Sequence, residues 1–90
     1  MHSEDFVSKV LRAIDRYNMY RGKEANARLV FVNKSKIIVE FTGSFCYSCG
    51  FYDWIDDLRY EFIDELNLNV KIASIDEVKL GVYSVVYAIS

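Results

Sequence analysis

Cys46-Tyr47-Ser48-Cys49 places two sulfurs three positions apart in a single short segment. The run before it, Ile37 to Phe41, reads as a strand, and the run after it, from Phe51, reads as a helix. Thiols in a strand-to-helix turn lie near a helix N-terminus, whose dipole favours thiolate over thiol. The thiolate is both a nucleophile and a metal ligand, so two chemistries are open. One is thiol–disulfide exchange between Cys46 and Cys49. The other is ligation of an iron–sulfur cluster or, as the alternative metal, zinc. A closed site of either kind usually takes four ligands. This chain supplies two sulfurs, and its one histidine, His2, stands at the start of the sequence. Two copies with the turns facing each other would supply four sulfurs, so a homodimer is expected. Purely structural alternatives are two small buried hydrophobes or a disulfide closed within the turn.

Aromatic residues flank the motif. Phe45, Tyr47 and Tyr52 are expected to form a contact surface for a protein partner at this end, since aromatic side chains are enriched at interfaces. The alternative for Phe45 and Phe51 is that they plug the core edge. Asp53 and Asp57 are one helical turn apart but read as charges on a solvated face, and Lys34 and Lys36 as surface charges at a turn. No catalytic set is assigned outside a redox role for Cys46 and Cys49.

Something must position that turn, and 90 residues allow one domain. Hydrophobic types make up 52% of the chain and charged types 27%, a globular rather than a disordered balance. A chain this short buries roughly 60–65% of its unfolded surface, which excludes a two-domain cofactor enzyme. Two cysteines are too few for a secreted disulfide scaffold. No run of 18 apolar residues and no basic-then-apolar leader is present, so a cytoplasmic domain with no membrane partner is expected. Residues 1–40 carry eight Lys/Arg against five Asp/Glu, and residues 41–90 carry three against eight. The two parts are therefore +3 and −5. Such a charge dipole can steer a partner or stack copies head to tail, although two ordinary solvated helix faces of opposite sign would give the same count.

Phe6, Val7, Val10, Leu11, Ile14 and Tyr17 recur at three- and four-residue spacing, which predicts an amphipathic helix over 3–21. Lys9, Arg12, Asp15 and Arg16 take its other face, and Gly22 is a plausible stop. Residues 23–26 read as a loop. A hairpin is expected over 28–41, turning at Asn33-Lys34-Ser35. The cysteine turn spans 43–50. A second helix over 51–66 buries Phe51, Trp54, Ile55, Leu58, Phe62 and Leu66, with acids on the rest of its surface. The acids near its end oppose the helix dipole, which hints at a basic neighbour. Strands are expected over 70–75 and 82–89, with a turn from Asp76 to Gly81. The order α-β-β-α-β-β predicts a two-layer α+β sandwich, with a mostly antiparallel or mixed sheet and both helices on one face. The two αββ parts share a pattern without repeating residues.

The segment Ile37 to Cys49, with Gly43 shortly before the cysteines, resembles the core of the NifU-like C-terminal domain. The likeness runs from Phe6 to about Val78 and puts Cys46 and Cys49 on the cluster-ligand positions. It implies an iron–sulfur scaffold or carrier with a cluster bridged between two protomers. The chain departs from that family in having Gly22-Lys23-Glu24 in place of Asp-Gly-Gly, and Gly50 in place of a proline after the second cysteine. Val39-Glu40-Phe41 leading into Phe45-Cys46-Tyr47-Ser48-Cys49 also looks like a thioredoxin active site. That fold requires a cis-proline strand, and this chain has no proline. Gly43 to Cys49 is similar to the metal-binding turn of heavy-metal-associated copper carriers, whose element order differs. The α-β-β-α-β-β order is shared with some RNA-binding KH domains. Their Gly-x-x-Gly clamp is missing here, so a nucleic-acid partner is not expected.

Overall fold

A computed structural model describes residues 2–21, 25–43 and 51–90. The elements follow the expected order: α1 (His2–Arg21), β1 (Ala25–Val32), β2 (Lys36–Gly43), α2 (Phe51–Leu66), β3 (Val70–Lys79) and β4 (Val82–Ile89). The strands form one sheet in the order β1-β2-β4-β3. Every neighbouring pair is antiparallel, so the sheet is not mixed.

Alternation along the strands builds the core. Ile37, Val39 and Phe41 of β2 and Tyr83, Val85 and Tyr87 of β4 are buried, while the residues between them face away. Val10, Ala13, Ile14 and Tyr17 of α1 and Ile55, Leu58, Phe62 and Leu66 of α2 pack onto that same face. Both helices therefore cover one side of the sheet, as an α+β sandwich requires.

Several boundaries and faces correct the sequence reading. β1 begins at Ala25 rather than 28, because Ala25 and Ala27 are small enough to be fully covered by α1. β3 runs on to Lys79 where a turn from Asp76 was expected. A bulge between Glu77 and Lys79 keeps it paired to the two-residue turn at Leu80-Gly81. Gly81 has φ +79°, a conformation glycine adopts without penalty. Leu11 is 44% exposed, and Ala13 takes the core position instead. Helix α2 stops at Asn67, which takes the left-handed conformation (φ 58°) and donates its N–H to the Ile63 carbonyl at 2.8 Å.

The two αββ halves are related by a pseudo-two-fold axis through the Val39–Val85 pair. Ile37 pairs with Tyr87 and Phe41 with Tyr83, a register that maps onto itself when β2 and β4 are exchanged. Equivalent helix residues stand 45 positions apart and equivalent residues of β2 and β4 stand 46 apart. Tyr17 packs edge-on against Phe41 at 5.9 Å, and their equivalents Phe62 and Tyr87 pack edge-on at 5.2 Å. Ala25 and Val70, the first residues of β1 and β3, are both buried.

Candidate functional site

Cys46, Cys49, Phe45 and Tyr47 lie outside the described residues, as do Gly22, Lys23 and Glu24. What is described is the frame on either side. Gly43 ends β2, and Phe51 opens α2. Helix α2 carries Asp53 in its first turn, where a carboxylate complements the positive end of the helix dipole.

That first turn is fastened to the core from two directions. Tyr17 of α1 donates its hydroxyl to the Trp54 carbonyl at 2.9 Å. Tyr87 of β4 donates to the next carbonyl, Ile55, at 2.8 Å. Both rings are buried, so each hydroxyl needs a partner, and the α2 carbonyls supply it. Burial pushes the Tyr87 hydroxyl well above its ordinary pKa, and it pushes Tyr17 up as well. Both stay neutral donors near neutral pH. Their phenylalanine equivalents, Phe62 and Phe41, have no hydroxyl, so the start of α2 is one place where the pseudo-repeat is asymmetric.

Of the proposed aromatic contact residues, Tyr52 is described and is 57% exposed on that turn. It lines a shallow cleft with Asp56, Arg59, Lys71 and Ile72. Trp54, two residues further along the helix, is half-buried against the core. Asp53 is exposed, but Asp57 faces α1, where it pairs with Arg21 at 2.7 Å. The two carboxylates do not form a pair.

The uneven charge is largely answered within the fold. Arg16 bridges Glu61 at 2.7 Å and Glu65 at 2.9 Å, and Arg12 lies 3.3 Å from Glu65. The guanidinium of Arg16 is held above its usual pKa by its bonds to Glu61 and Glu65. Arg12 and Arg16 thus face α2 rather than a separate solvated side. They are the basic neighbour that the acids late in α2 require. Arg21 and Asp57 cross a cleft of about 240 Å³ between the helices, also lined by Tyr17, Tyr20 and Tyr60. Its charged groups already have partners.

Sequence reasoning put Tyr17 in the helix stripe without its hydroxyl bond, and it missed Asn18 and Arg59. Asn18 bonds both backbone groups of Ala27, giving its amide to the carbonyl at 2.9 Å and taking the N–H at 2.8 Å. Arg59 donates to the Val70 carbonyl at 3.1 Å and to Asp56 at 2.5 Å. The available signal was a polar residue inside an apolar helix stripe.

Among the described residues no group of three or more His, Cys, Asp or Glu is arranged to hold a metal ion, and none of the described helices is long and apolar enough to cross a membrane. No protein-family model, no curated protein and no solved structure matches the chain.

Proposed function

We propose that this chain binds an iron–sulfur cluster, or another thiophilic metal such as zinc, through Cys46 and Cys49 in the cytoplasm. Two copies provide the four sulfurs of a closed site. The observation that carries this reading is the Cys-x-x-Cys spacing between the end of β2 at Gly43 and the start of α2 at Phe51. Two further features support it. The helix that follows the cysteines begins with its positive dipole end, which favours thiolate. Its first turn is held by the Tyr17 and Tyr87 hydroxyls, so a ligand set attached to it starts from a fixed base. The resemblance of Ile37 to Cys49 to the NifU-like domain points to the same role, as scaffold or carrier rather than catalyst. Phe45, Tyr47 and Tyr52 then form the surface that a recipient or donor protein touches.

The test is anaerobic reconstitution with iron and sulfide, followed by iron, sulfide and visible-absorption measurements on the native assembly. About one cluster per two chains is expected, lost when Cys46 and Cys49 are replaced by serine. A colourless product without iron or sulfide, and without zinc after zinc loading, would sink the proposal.

The second reading, a thiol–disulfide redox protein, is favoured by the count of two sulfurs, which suffices for exchange within one chain. It predicts a reversible Cys46–Cys49 disulfide and a thiol pKa below the ordinary value. Thiols that stay unmodified by an alkylating reagent across the neutral range would remove it.

A further inference from the structure

Both helices cover the same side of the sheet, and among the described residues no element covers the opposite side. Its side chains fall into rows fixed by the strand register. The middle of the face is a row of Phe31, Ile38 and Val86, apolar up to Ser74 on β3, with Phe31 45% exposed. On one side of this row lie Lys36 and Lys71, either side of Ala88. On the other side lie Arg28, Glu40, Ser84 and Asp76 in one row, with Arg28 paired to Glu40 and Asp76 beyond Ser84. The Lys36 ammonium sits 5.8 Å from the Phe31 ring centre, and Arg28 bonds Glu40 at 2.6 Å, so these side chains do share the open face.

We propose that this face is the contact surface for a second copy of the chain. The pattern is self-complementary. A two-fold axis lying across the strands, along the Phe31–Ile38–Val86 row, sets that row against itself. It also sets Lys36 against the partner copy's Glu40, a carboxylate shared with Arg28, and Lys71 against the partner copy's Asp76, the row's carboxylate outside that pair. An isologous contact needs such a surface, and a face with one sign of charge would repel its copy. The edges of the sheet are partly blunted among the described residues. β1 and β3 both carry bulges, and helix side chains take edge backbone groups at Ala27 and Val70. Four strands, paired over about eight residues each, span roughly 19 Å by 27 Å. That covers about 1,000 Å² over both copies, at the small end for a specific interface. The charge pairing therefore decides whether it forms.

This contact rests on the register and not on the cysteine reading. Gly43 lies five residues beyond Ile38, so the two Gly43 ends stand about 34 Å apart along the strands. A four-sulfur site shared between copies is then a second, separate contact, and the two readings fail separately.

The test uses the full chain with Cys46→Ser and Cys49→Ser, free of metal, in sedimentation equilibrium. A concentration-dependent dimer of the 10.5 kDa chain is expected. Adding Lys71→Glu, or adding Asp76→Lys, should each weaken association at least about tenfold. Combining the two should restore it to within about threefold, with circular dichroism unchanged throughout. A strictly monomeric cysteine-free chain, a dimer indifferent to either reversal, or a combined variant that stays weak would each overturn the proposal. Metal analysis of the wild-type chain reports on the cysteines independently.

Discussion

The two αββ halves meet the same demands with different residues. In the first half, α1 seals the edge of β1 with a neutral amide, Asn18, which satisfies both backbone groups of Ala27. In the second, α2 seals the edge of β3 with a cation, Arg59, which reaches one carbonyl and is braced by Asp56. The first half places small residues, Ala13, Ala25 and Ala27, where the second has Leu58, Val70 and Ile72. Small residues let α1 lie close enough for an asparagine to reach the strand. Over larger residues, a longer side chain is needed. Geometry common to both halves is thus upheld by matched pairs of changes, one at the helix and one at the strand.

Truncating the aromatic pairs probes that equivalence most severely. Phe62→Ala removes one ring of the second pair and should cost about 3–5 kcal/mol. Its counterpart, Tyr17→Ala, should cost a similar amount plus the lost bond to Trp54, about 1 kcal/mol more. Urea unfolding followed by circular dichroism measures both. A large excess for one half would show that the pseudo-symmetry of the contacts is not one of energies.

Next in size is the edge seal. Asn18→Ala strands two part-buried backbone groups of Ala27 and should cost about 1–3 kcal/mol. Faster hydrogen exchange at the Ala27 amide should accompany the loss. Arg59→Met leaves a single carbonyl, that of Val70, without its side-chain donor and should cost less. Equal losses would mean that the amide and the guanidinium seal equally well.

Much of this architecture is legible in the sequence. The apolar spacing of α1 and α2 and the alternation in β2 and β4 dictate the element order and the covered face. The similarity of the halves was visible only as a pattern, since equivalents such as Ala25 and Val70 or Phe41 and Tyr87 share burial rather than identity. The β1 and β3 boundaries were not legible, because alanines carry little strand signal and a bulge breaks the alternation at Glu77–Lys79. The roles of Tyr17, Asn18 and Arg59 depend on partners 9 to 37 residues away. Such partners are set by how the layers stack, which local spacing does not encode. Of the site itself, the spacing of Cys46 and Cys49 was the whole signal, and the fold adds the anchored helix start beside it.

The smallest expected effect concerns that anchor and has a pH signature. Tyr17→Phe and Tyr87→Phe should each cost about 1 kcal/mol near neutral pH, the net value of one hydrogen bond. Both hydroxyls have a folded pKa raised by burial above the value of an unfolded tyrosine. Above pH 10 the unfolded chain therefore releases these protons while the folded chain keeps them. The folded state then binds more protons, and stability falls as pH rises, by up to about 1.4 kcal/mol per pH unit for each tyrosine. The contribution is fully present below pH 10 and is lost as pH climbs toward the folded pKa. Unfolding midpoints measured from pH 9 upward should fall more steeply in the wild type than in either single variant, and least steeply when both hydroxyls are removed. If Tyr17→Phe alone removed the whole slope, α2 would be anchored from α1 only, and the two halves would not share the task of holding the helix that follows the cysteines.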